Sequence, residues 1–163
     1  MPDQKRVIET PLEFLELQKE CIARVREYVE MARKKLGVVM GVPQVLFSIQ
    51  GTTAGRAYWP SNVIKFNPTL LFENPDVFVE QTAGHEVGHL VAHWLHKGED
   101  IDPHGIEWKR VMGTLGLPAT RCHNYDTSNV PTKMANARRI VPVVQTSQGI
   151  TKQIQGAKIT VFD

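Results

Sequence analysis

The pentapeptide His85-Glu86-Val87-Gly88-His89 constrains this chain more than any other feature. On an α-helix, residues four apart stack on one face, about 6 Å apart along the axis. A helix through this segment therefore turns both imidazoles toward one point, with Glu86 on the adjoining face. His-Glu-x-x-His is the pattern of helices that hold a metal ion between two histidines. Their glutamate serves as a base toward a water at the metal's open position. The same spacing also suits a pair of structural histidines, so the flanking sequence has to discriminate between the two.

That flanking sequence is helical. Asn74-Pro75-Asp76 combines a capping side chain, proline at the first helical position and early negative charge. Val77, Phe78, Val87, Leu90, Val91, Trp94 and Leu95 supply an apolar stripe. Lys97-Gly98 is a stop signal, a cation in the last turn with glycine beyond it. The pentapeptide falls mid-helix among apolar neighbours, as a buried metal site requires.

A catalytic metal of this kind takes a third protein ligand and keeps one position open. His96 shares the face of His85 but stands two turns past His89, about 10 Å of rise, out of reach of a metal–nitrogen bond of about 2 Å. His93 pairs with His89 only if Leu90 takes the base position. Ala92 and Leu95 stand where the metzincin pattern needs its glycine and third histidine. His104 remains. It follows the acidic loop 98–103 and opens a segment, 104–112, that reads as another helix. Gly105 allows close backbone approach, and Trp108 and Met112 can pack that helix on the first. The alternative for His104 is an exposed capping residue.

These residues resemble a known family. His85-Glu86-x-x-His89, followed fifteen residues on by His104-Gly105-x-Glu107-Trp108, is similar to the SprT-like metalloprotease domain, a group that includes Spartan. Gly51-Thr52-Thr53-Ala54-Gly55-Arg56-Ala57, Ile64-Lys65-Phe66-Asn67-Pro68-Thr69-Leu70-Leu71 and Met112-Gly113-Thr114-Leu115-Gly116 fit the same family in order. The resemblance covers about residues 10–125. It implies a zincin-like zinc-dependent protease, of a kind associated with cleaving proteins bound or crosslinked to DNA. The chain departs from many members in one respect. A zinc ribbon after the core needs two cysteine pairs, and this chain has only Cys21 and Cys122.

The expected fold is α+β. Thr10-Pro11-Leu12-Glu13 opens a long N-terminal helix that runs to Leu36 and ends on Gly37. Leu12, Leu15, Ile22, Val25, Val29, Ala32 and Leu36 are its expected buried face. Residues 44–50, 56–59 and 62–66 read as three strands of a small sheet, the last two a hairpin across Pro60-Ser61. The metal helix and the ligand helix follow. Residues 1–125 form the metalloprotease domain and 126–163 a small β-rich basic tail. In that tail 139–145 and 157–162 read as a hairpin, with Pro142 at an edge.

At 163 residues the chain suffices for one good core. No segment is long and apolar enough to span a bilayer, and residues 1–6 lack the apolar run of a signal peptide. Two distant cysteines give no disulfide framework, so a reducing cytoplasm is the expected home. Net charge is +2, with 13 basic and 15 acidic side chains through residue 118 and 6 basic and 2 acidic beyond it. Arg121, Lys133, Arg138, Arg139, Lys152 and Lys158 could therefore contact phosphates of single-stranded or non-specific DNA. They serve equally well as a solvated surface.

Substrate is expected to be a protein or peptide that adds as an extended strand to the sheet edge above the metal. Tyr58, Arg121, His123 and Tyr125 have the chemistry to stabilise an oxyanion, or else pack. Glu107 either orients a ligand histidine or is an ordinary first-turn acid. The rival functional classes are a non-catalytic zinc-containing DNA- or protein-binding module and a zinc hydrolase of non-protein amides.

Overall fold

The computed structural model describes residues 4–130 and 160–162. Helix α1 (Pro11–Leu36) begins where Thr10 caps it, its side chain accepting from the Glu13 N–H. It ends on Gly37, whose left-handed backbone (φ 66°) returns its N–H to the Arg33 carbonyl. Its buried face differs from expectation. Phe14, Leu17, Gln18, Cys21, Val25, Tyr28, Val29 and Ala32 face inward, whereas Leu12 is 65% exposed. The face is rotated because Cys21, Tyr28 and Gln18 complete a continuous i, i+3, i+4 stripe that a count of aliphatic residues overlooks.

Three strands follow: β1 (Gln44–Leu46), β2 (Gly55–Trp59) and β3 (Val63–Phe66). The β2–β3 hairpin is antiparallel, with Ala57 opposite Ile64, and β1 runs parallel to β3, with Val45 opposite Ile64. β1 is shorter than the expected 44–50. Beyond Leu46 the chain keeps alternating burial at Phe47 and Ile49, and the Ile49 N–H still donates to the Phe66 carbonyl at 3.1 Å. A fourth strand, β4 (Thr160–Phe162), pairs antiparallel with β2, Tyr58 opposite Val161, giving the order β1-β3-β2-β4. The outer edge of β2 is thus occupied over residues 57–59. The other expected tail strand, 139–145, lies outside the described residues.

Helix α2 (Pro68–Glu73) was not expected. Asn67 caps it, accepting from the Thr69 and Leu70 N–H groups, while its amide donates to the Gly51 and Thr53 carbonyls. One asparagine therefore ends the sheet and starts the helices. The expected single helix from Asn74 onward is instead a composite. A turn, α3 (Pro75–Val77), leads into a π-helical segment (Phe78–Thr82) and then into α4 (Ala83–Leu95). The π segment inserts extra backbone per turn and shifts the buried face. Phe78, Val79 and Thr82 are buried in it, while Val77 is 47% exposed. The Tyr28 hydroxyl donates to the Glu80 carbonyl at 2.9 Å, tying α1 to this segment.

Helix α4 is the central element, packed by α1, β2 and α5 (Ile106–Thr114). Val87, Leu90 and Val91 are fully buried in it, while Leu95 at its end is 37% exposed. Gly88 lets α5 come close: a Cβ there would lie 2.8 Å from Met112 Sδ and 3.0 Å from Trp108 Nε1. Among the described residues, no helix is long and apolar enough to cross a membrane.

Candidate metal centre

Helix α4 presents His85 and His89 on one face, and the segment before α5 brings His104 to meet them. Nε2 of His85 lies 3.0 Å from Nε2 of His89 and 3.3 Å from Nε2 of His104. Two nitrogens on a tetrahedral ion with bonds of about 2.0–2.1 Å stand about 3.3 Å apart, close to both of these separations. The three histidines could hold one. His89 is fully buried, and the other two are partly exposed.

The third histidine is placed by local chemistry in the acidic loop. Ile101 anchors that loop in the core. The Asp102 carboxylate accepts from the His104 N–H at 2.9 Å, and the Asp102 carbonyl accepts from the Gly105 N–H at 3.0 Å. This Asx turn sets the backbone just before α5 begins. Behind the cluster stands Trp108, 1% exposed. Its ring lies 4.9 Å from His85 and 5.0 Å from His104, both edge-on, and its indole N–H donates to the His85 carbonyl at 3.3 Å. The sequence identified Trp108 as a packing residue but not as the wall shared by all three imidazoles.

Glu86 is 2% exposed on α4 and faces a cavity of about 580 Å³ that His85 and His104 also line. One wall of the cavity is the run Thr52–Gly55 leading into β2, and the other is the segment Pro118–Tyr125. His123 joins the two walls. Its Nδ1 accepts from the Tyr125 N–H at 3.2 Å, which leaves Nε2 to donate to the Thr52 carbonyl at 2.8 Å. Of this second wall the sequence singled out Arg121, His123 and Tyr125 by their chemistry but not the wall they form, since nothing periodic marks the segment. The clustering of Arg121, Cys122, His123 and Tyr125 soon after the ligand helix was the available signal.

The structure sorts the other candidates by position. Tyr125 lines the cavity, but its hydroxyl is hydrogen-bonded to Thr82 at 2.8 Å and its ring stacks on Phe78 and His123. Burial pushes its phenol pKa up, partly offset by that hydrogen bond. Tyr58 lies on β2 with Lys65 4.9 Å over its ring, away from the cavity lining. Glu107 sits in the first turn of α5. His93 and His96 are not part of the cluster. His93 stands 5.8 Å from the Trp59 ring, and burial followed by the neighbouring His96 lowers its pKa. Arg121 lines the cavity, whereas Lys133, Arg138, Arg139, Lys152 and Lys158 lie outside the described residues.

Fold and site together define an α+β domain in which a His-Glu-x-x-His helix and a second helix converge on a candidate three-histidine metal centre. The SprT-like family matches residues 19–127. Over 115 residues, 70% of this chain, the sequence is 39% identical to Protein SprT of Shigella dysenteriae serotype 1 (strain Sd197), covering 68% of that protein. The same identity and coverage hold for Protein SprT of Escherichia coli (strain K12 / DH10B). The chain belongs to the SprT-like family. No solved structure matches it.

Proposed function

We propose that this chain is a zincin-like zinc metalloendopeptidase acting on protein substrates. The observation that carries the reading is the convergence of three Nε2 atoms at zinc-site spacing, with Glu86 buried beside them at the head of an open cavity. An all-imidazole set of three suits zinc and leaves one tetrahedral position free. When bound, zinc supplies the Lewis acid that polarises a peptide carbonyl and eases ionisation of water. Histidines 85, 89 and 104 hold the ion. Glu86 takes a proton from the attacking water and delivers it to the leaving amine. The walls at Thr52–Gly55 and Pro118–Tyr125 bound the channel for an extended peptide.

The test is Glu86→Gln, which keeps the shape of the side chain and removes its basicity. Zinc content is expected to stay at the wild-type level while peptide hydrolysis falls by about 10²–10⁴-fold. Wild-type hydrolysis by the variant would overturn the mechanism. A wild-type protein that binds zinc yet cleaves no protein substrate would favour the non-catalytic module.

The narrower substrate class, proteins bound to DNA, draws support from the basic excess after residue 118. DNA affinity that falls with salt, by about 0.7 log units per log unit for each phosphate contact on single strands, would support it. Absence of binding at low salt would remove DNA from the account.

A further inference from the structure

We propose that Gly55 is a positioning residue for Glu86, its bare Cα forming the stop against which the carboxylate rests. The inference builds on the protease reading of the site. Gly55 is the first residue of β2, buried, and in regular antiparallel register opposite Phe66. Its φ is outside the left-handed region that favours glycine. The backbone therefore accepts any residue there, and glycine within a strand weakens it. Close approach is the remaining reason for glycine at this position.

What approaches is the proposed base. A Cβ on residue 55 would lie 2.8 Å from Glu86 Cγ, 2.8 Å from Oε1 and 3.0 Å from Cδ. Those are its three nearest atoms, all in one side chain. Glu86 Cγ is two bonds from the backbone of α4, so it cannot yield without a change of rotamer. With Glu86 only 2% exposed, the room for a new rotamer is in the cavity that it lines. Gly55, in the cavity wall formed by Thr52–Gly55, thus bounds the carboxylate on one side, as a pre-organised catalytic group requires. Any side chain at residue 55 transfers its volume to the base.

The experiment compares zinc-loaded wild type, Gly55→Ala, Glu86→Ala and the double variant. In Gly55→Ala, zinc content stays unchanged, kcat falls by about 100-fold, the cost of displacing a reacting group by about 1 Å, and KM is little changed. A crystal structure of that variant shows the Glu86 carboxylate moved off its wild-type position. Glu86→Ala ends at Cβ and removes all three atoms that the new methyl would meet, so the double variant is no slower than Glu86→Ala alone. A Gly55→Ala structure with Glu86 unmoved, or losses that multiply in the double variant, would overturn the proposal. If Gly55→Ala fails to fold but the double variant folds, the contact is supported; if neither folds, Gly55 serves the sheet and the proposal falls. If the wild type cleaves no peptide, the protease reading fails, and the position of the carboxylate still decides whether Gly55 sets it.

Discussion

The indole of Trp108 stacks on the imidazole of His89 with 5.6 Å between centroids and 22° between planes. The same indole donates its N–H to the His85 carbonyl. One side chain from α5 thus backs one clustered histidine and hydrogen-bonds the backbone of another. Trp108→Ala is expected to cost about 3–5 kcal/mol of stability, as removal of a buried tryptophan does. Zinc affinity should fall by about 10–100-fold, the effect of losing a partner that orients a ligand. Trp108→Phe keeps most of the volume and loses the hydrogen bond, about 1 kcal/mol. Urea unfolding with parallel zinc titration checks both. Unchanged zinc affinity in Trp108→Ala would show that the wall is only packing.

His104→Ala leaves two ligands. Zinc affinity should fall by more than about 100-fold, since loss of an orienting partner alone reaches that range, and hydrolysis should be lost with it. His93→Ala should keep its zinc. Metal analysis after dialysis separates the two, and the reverse result would mean that the third ligand is misassigned.

Tyr125→Phe tests whether the phenol on the cavity wall acts on substrate or only holds the wall. Its hydroxyl already pairs with Thr82, and burial keeps it protonated beyond the usual tyrosine range. The expected result is a stability loss of about 1 kcal/mol with kcat unchanged. A kcat lower by about 10²–10³-fold would instead mark an oxyanion donor.

His93 gives the protein an acid-sensitive component of stability. Its pKa is lowered in the fold by burial first and by His96 second, so the unfolded chain binds more protons in that range. The contribution is fully present above the unfolded value, near 6.5. It is lost as pH falls through the lowered folded value. Between pH 8 and 5 the melting temperature of His93→Gln should fall less than that of wild type, each compared at equal zinc occupancy. Parallel curves would show that His93 does not titrate differently on folding.

The three-histidine cluster was largely legible in the sequence because its geometry is local. The i, i+4 spacing of His85 and His89 fixes their common face, and the distance limit on His96 leaves His104 as the partner. The N-cap at Thr10 and the stop at Gly37 are also local, and both are where expected. What the sequence hid depends on distant contacts. The π segment at Phe78–Thr82 satisfies packing against Tyr28 of α1. The cavity wall at Pro118–Tyr125 is placed by the His123–Thr52 hydrogen bond, 71 residues apart in sequence. The pairing of β4 with β2 joins Thr160 to Trp59, and no periodicity in either segment encodes that choice of partner. The rotated face of α1 is a different case: the stripe was present, but its cysteine, glutamine and tyrosine do not read as core.

The Asx turn at Asp102 has a wider consequence. Two of the three histidines ride on one rigid helix, while the third arrives from a loop in which the Asp102 carboxylate accepts the His104 N–H. An ion held by all three ties residue 85 to residue 104 and closes the intervening stretch of chain into a ring. Occupancy of the centre and order in the acidic loop are then one equilibrium viewed from two ends. Whatever holds the loop raises affinity for the ion, and whatever competes for the ion slackens the loop.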